Sequence, residues 1–133
     1  MELLLSIHHA AMGEYIEATW GPWDDDAQRS YWDERQRGGL LQVVVVSGSV
    51  AGLLEVRESE ENAEVVNIEL APHFQGRGLG TAILTGIQQA AVRRGAAVVL
   101  QVLKVNPARH LYERLEFTAT GETEWHVQMR WSC

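Results

Sequence analysis

"ELAPHFQGRGLGTAIL", residues 69–84, runs from an acid-bearing strand end through Pro72 into a glycine-spaced loop, then into an apolar helix-like segment. Gly76, Gly78 and Gly80 stand at every second position. Glycine is costly inside regular structure, so this spacing marks backbone that something approaches closely. A nucleotide P-loop needs a Lys-Ser/Thr pair after the glycines, but Leu79, Gly80, Thr81 and Ala82 follow. A dinucleotide turn needs Gly-x-Gly-x-x-Gly and an acid at the end of the next strand; here the spacing is Gly-x-Gly-x-Gly and the next strand ends in "LKVN". Two readings remain. Either the glycines serve close helix packing, or they bare successive amides at a helix start to a pyrophosphate, with Arg77 adding charge.

Outward from this stretch the chain alternates helices and strands. Leu4, Ile7, Ala11, Tyr15 and Ala18 recur at helical steps and predict a helix from about Leu3 to Thr19. Gly21 and Pro22 break it, and Asp24 or Asp25 caps a second helix running to about Arg37. Leu41–Val46 and Val50–Arg57 flank Ser47-Gly48-Ser49 as a hairpin, and Glu64–Ala71 is a third strand stopped by Pro72. A helix from Gly78 to Gly95 precedes the strand "AVVLQVLKV". Asn106 and Pro107 open a short helix, and two strands close the chain around "TGETE". The order gives a single domain over residues 1–133, an α/β mixed sheet with helices on its faces. No strand precedes the first helix, because its 3.6-residue pattern already includes Leu4 and Ile7.

Composition narrows the function. With 133 residues and a net charge of −7, the chain lacks the basic face of a general nucleic-acid binder. No apolar run has the roughly 18 residues of a membrane span. "MELLLSIHHA" lacks the basic start and cleavage site of a signal peptide, so a cytoplasmic protein is expected. The single cysteine, Cys133, excludes an internal disulfide, and the five histidines show no ligand spacing, so no metal is expected.

"ELAPHFQGRGLGTAIL" resembles the acyl-CoA-binding motif of the GNAT superfamily of N-acetyltransferases, Gln/Arg-x-x-Gly-x-Gly/Ala, through Gln75, Gly78 and Gly80. "VLKVNPARHLYERLEF" is similar to the family's strand–Asn–helix–Tyr–aromatic element in the right place. The likeness covers roughly Leu41 to Trp131. It departs at Glu116, where a glycine is usual, at the spacing of Asn106 to Tyr112, one residue short, and at the N-terminus, where the first edge strand is missing. An open edge there would be covered by a second subunit, so a homodimer is the implied assembly.

The resemblance implies a mostly antiparallel, splayed sheet and acetyl transfer from acetyl-CoA to a small-molecule or peptide amine by direct attack. The amides of Gly76, Arg77, Gly78, Leu79, Gly80 and Thr81 would hold the pyrophosphate, with Gln75 completing the loop. Leu70 and Ala71 would pair with pantetheine as an added strand and polarise the thioester. Asn106 would bond the cofactor arm, besides acting as an N-cap. Tyr112 matches the proton donor to the thiolate, although a packed aromatic is its alternative reading.

For the base, Glu69 and Glu64 both lie on the strand leading into the loop, and an odd separation puts them on opposite faces of a regular strand. Glu69 is nearer the thioester; Gln101 stands where other members carry a glutamate. An amine arriving neutral needs no base. Trp20, Trp23, Tyr31, Trp32 and His126 are expected around the acceptor, with at least half of the tryptophans in the core. The competing function is a non-catalytic acyl-CoA-binding module that keeps the loop without turnover.

Overall fold

The computed structural model describes residues 1–133. Helix α1 spans Glu2–Trp20 and α2 spans Asp25–Arg37; strands β1 (Leu41–Val46), β2 (Ser49–Glu58) and β3 (Asn62–Leu70) follow. A single 3-10 turn, Pro72–Phe74, leads to α3 (Leu79–Arg93), β4 (Ala97–Leu103), α4 (Arg109–Arg114), β5 (Thr118–Glu122) and β6 (His126–Trp131). Asp24 caps α2 by accepting from the Ala27 amide at 3.1 Å. The β1–β2 hairpin turns on Ser47 and Gly48, both with positive φ, the backbone hand that matches strand twist. Pro72 ends β3 because it has no donor to continue a ladder.

The sheet order is β1-β2-β3-β4-β6-β5, and every neighbouring pair is antiparallel except β3 and β4. Those two pair only from Asn62–Ala97 to Val65–Leu100. Beyond Val65 the strands part and open a cleft in the middle of the sheet.

A bulge coincides with that point. Glu55 pairs with Asn67 but Val56 pairs with Val65, so Val66 is extra in β3. An extra residue reverses the in–out alternation of everything after it. Ala63 and Val65 therefore pack with Leu84 and Ala91 of α3 on one face of the sheet. Asn67 and Glu69 turn to the opposite face, where Leu4, Leu5, Ile7, Trp32 and Leu53 form the core beneath α1 and α2. The expectation that Glu64 and Glu69 face opposite ways fails for this reason: the bulge puts them on the same face.

The chain holds no strand ahead of α1, and β1 is the outer edge, with Val43 and Val45 exposed. No helix is long and apolar enough to cross a membrane. Asn106 starts a turn rather than the helix itself: its Oδ1 accepts from the Ala108 amide at 2.9 Å, and α4 begins only at Arg109, capped by Ala108.

Candidate active site

Two cavities meet where β3 leaves β4, one of about 350 Å³ and one of about 440 Å³. They share Met12 of α1, Ile68 and Glu69 of β3, Asn106 and Tyr112. Ligand sites commonly sit where a sheet opens in this way.

The first cavity is floored by the glycine loop and the start of α3. Gly76 (φ 73°) and Gly78 (φ 79°) are left-handed, and a Cβ at either would meet nothing within 4 Å. They bare backbone to open space. Gly78 caps α3 without a side-chain bond, so the first amides of a 15-residue helix have no internal partner. Free amides of this kind suit an anion, and Leu79 and Thr81 line the cavity with the glycines. Gly80 has another reason to be glycine: its Cβ would lie 3.2 Å from Leu111 Cδ2, so it lets α3 approach α4. Close helix packing accounts for Gly80, while Gly76 and Gly78 leave backbone open to the cavity.

The end of β3 forms the wall. Ala71 donates to the Ala51 carbonyl at 2.8 Å, which fixes the alternation of the ladder. Glu69 and Ala71 turn their backbone groups to β2, whereas Ile68 and Leu70 turn theirs into the gap. The Leu70 carbonyl there accepts from Gln75 Nε2 at 2.9 Å, so Gln75 ties the loop to the strand. Ala71 lines neither cavity and its amide is already used. Arg77 also lies off the lining, with its guanidinium over the Phe74 ring at 5.6 Å.

Glu69 is 6% exposed and is held by a partner that sequence reasoning passed over. His8 of α1, equally buried, places Nδ1 2.6 Å from Glu69 Oε1, and its Nε2 is 3.0 Å from Gln28 Oε1 of α2. Trp32 and Trp23 flank the imidazole at 4.8 and 5.6 Å. Glu69 Oε2 takes no bond from the protein, yet it is not among the sealed, unpartnered atoms, so it opens to the cavities. The available signal was positional: His8 lies on the stripe of Leu4, Ala11 and Tyr15, a polar residue on the buried side of a helix.

Tyr112 is 7% exposed and stacks edge-on with Phe117 at 5.9 Å. Burial, reinforced by the Glu69 charge, pushes its phenol up to about 12. It therefore stays protonated through the neutral range, as a proton donor must.

The second cavity contains three of the expected acceptor residues, Trp20, Tyr31 and His126, together with Gln101, Gln28 and Asn67. Trp32 is fully buried core and Trp23 packs on His8 and His9 behind the wall, so neither reaches the cavity. Glu64 lies outside both cavities, half exposed and 3.6 Å from Arg57. No group of three or more potential metal ligands is present.

Residues 4–117 match the Acetyltransferase (GNAT) family. Among curated relatives, the N-acetylaspartate synthetase of Danio rerio is 35% identical over 91 residues, 65% of this chain and 32% of that protein. Streptothricin acetyltransferase of Streptomyces lavendulae is 35% identical over 82 residues, 59% of this chain and 43% of its own length. The chain thus spans between about a third and a half of the length of these relatives. Among solved structures, the PaiA N-acetyltransferase of Thermoplasma acidophilum in complex with coenzyme A superposes with a TM-score of 0.72 at 15% identity. That likeness of fold covers 99% of this chain and 92% of the other.

Proposed function

Because the chain belongs to the GNAT acetyltransferase family, we propose that it transfers an acetyl group from acetyl-CoA to a primary amine by direct attack. One observation carries the reading: Glu69 and Tyr112, a base candidate and an acid candidate, line both cavities where they join. A cradle for the cofactor and a chamber for the acceptor then meet at the two groups that move protons. The names of the relatives carry different acceptors, aspartate and streptothricin, and do not choose between them.

The residues divide the work as follows. The amides of Gly76, Gly78, Leu79, Gly80 and Thr81 hold the pyrophosphate of acetyl-CoA, which fits a loop whose left-handed glycines leave the space above them empty. The Leu70 amide, turned into the gap, donates to the thioester carbonyl and to the oxyanion that develops there. Glu69 Oε2 takes the proton of the incoming ammonium while His8 fixes the carboxylate from behind. Tyr112 gives its proton to the departing thiolate. Asn106 closes the joint between the cavities, its side chain held by the Ala108 amide.

The test is thiol release from acetyl-CoA with a panel of amines, alongside CoA binding. Tyr112→Phe should lower kcat about a hundredfold or more and leave CoA affinity unchanged. CoA binding without thiol release for every amine would favour a binding module, and unchanged turnover in Tyr112→Phe would remove it as the acid.

A further inference from the structure

The second cavity has a chemical character of its own. Of its 18 lining residues one is a carboxylate, Glu69, whose Oε1 is already bonded to the lining His8 at 2.6 Å, and none is Lys or Arg. Arg35, behind Tyr31, is engaged by the buried Glu55 carboxylate at 3.4 Å and lies over the Tyr31 ring at 5.6 Å. Lys104, next to the lining residue Leu103, pairs outward with Glu122 at 3.8 Å. Neither presents a free cation to the cavity. The fixed polar groups are amides: Asn67 turns its Nδ2 to Glu55 at 3.0 Å, and Gln28 is held by His8. Burial pushes the His126 imidazole below its ordinary value, so at neutral pH it adds no positive charge.

The remaining surface is aromatic and aliphatic. Trp20 packs edge-on against Trp125 at 5.5 Å and lies 6.1 Å from His126, and both tryptophans are more than two-fifths exposed. Tyr31, similarly exposed, lines the same cavity as Trp20, together with Met12, Ile16 and Ile68. A carboxylate bound here would give up water with no Lys or Arg to replace it, and it would sit near Glu69. An ammonium group meets the opposite situation, with an open carboxylate oxygen at one end and π-faces at the other.

We infer that the acceptor is a primary amine with an aromatic or apolar body and no carboxylate, bound between Glu69 and the Trp20–Tyr31 rim. This rests on the acetyl-transfer reading above and narrows it to a substrate class. It separates amines from the amino acids that carry the same side chain.

The experiment compares matched pairs on the unmodified protein: tyramine with tyrosine, phenethylamine with phenylalanine, and aspartate as the doubly acidic case. Thiol release is followed at saturating acetyl-CoA, and binding to the CoA-loaded protein is titrated calorimetrically. The amine of each pair should exceed its amino acid in kcat/KM on the order of a hundredfold or more, with aspartate below both amines, the penalty expected of an unpaired buried carboxylate. An amino acid equal to its amine, or aspartate preferred, overturns the inference while leaving acetyl transfer intact. Absence of thiol release with every acceptor overturns the acetyl-transfer reading instead. The titration then still decides the class: tighter binding of the amines supports it, and equal or weaker binding refutes it.

Discussion

Replacing His8 by leucine tests whether the Glu69–His8 pair is as structural as its burial implies. The two atoms lie 2.6 Å apart, with side-chain exposures of 7% and 5%. Leaving a buried carboxylate oxygen without its hydrogen-bond partner commonly costs about 1–3 kcal/mol. Glu69 lines both cavities, where water can reach its other oxygen, so the loss should fall near the middle of that range, about 2 kcal/mol. Set against the roughly 7–20 kcal/mol typical of a domain this size, that is a large fraction of the stability. Leucine fills most of the imidazole volume between Trp23 and Trp32, so the loss reports the pair and not a cavity. Urea denaturation at neutral pH of wild type, His8→Leu, Glu69→Leu and the double variant closes the cycle. The double variant should be more stable than the sum of the singles by about 2 kcal/mol. His8→Asn, which keeps a donor near the Nδ1 position, should recover part of both stability and turnover. A His8→Leu loss under about 0.5 kcal/mol, or strict additivity in the cycle, refutes the assignment.

Three further outcomes follow from the same geometry. Tyr112 ionises at about 10 in the unfolded chain and at about 12 when folded, so below pH 10 its burial carries no ionisation penalty. As pH rises from 10 to 12 the unfolded chain gains a phenolate that the folded one resists, and stability should fall by up to about 3 kcal/mol. Denaturation across that range in wild type and Tyr112→Phe, with absorbance to follow the phenol, checks it; an equal alkaline loss in both would sink the attribution. Glu116 sits at φ 71°, a conformation that costs a residue with a Cβ about 1 kcal/mol. Glu116→Gly should therefore raise the unfolding midpoint, and an unchanged or lower midpoint would show that the strain is offset elsewhere. Gly78→Ala adds a Cβ at φ 79° over the open side of the loop, and it should raise KM for acetyl-CoA at least about fivefold with little change in kcat. A drop in kcat alone would contradict the pyrophosphate assignment.

Much of this fold was readable because its signals are local. The glycine loop, the proline ending β3, the Asp24 cap and the two flanking motifs each act over a few residues, and the mixed sheet follows from their order. Glu116 was legible in the same way: a position that wants glycine was held without one, and the backbone records that as a positive φ. The site was read less completely, since its decisive contacts cross long stretches of chain. His8 and Glu69 are 61 residues apart, and nothing in either neighbourhood announces the other. The tryptophans divided for a related reason: aromatic residues at helical spacing share a helix, but only packing decides which face the core. Trp32 and Trp20 went opposite ways.

The bulge at Val66 shows why the faces of Glu64 and Glu69 could not be assigned by counting. Period-2 alternation assigns faces correctly until a strand carries one extra residue, after which every assignment reverses. Here the reversal falls at the last β3–β4 pair, so the strand changes face as it loses its neighbour. The two events depend on each other. With regular alternation Glu69 would point towards α3 and the Leu84 core, where a carboxylate has no partner, and the freed edge of β3 would present the same backbone with no carboxylate beside it. With the bulge but no parting of the strands, Glu69 would meet His8 yet line no cavity. Only together do they bring a held carboxylate, an unpaired Leu70 amide and the phenol of Tyr112 around one gap. Deleting Val66 should therefore abolish turnover far more than it lowers the content of strand seen by circular dichroism. A variant without Val66 that still releases thiol would place the base somewhere other than Glu69.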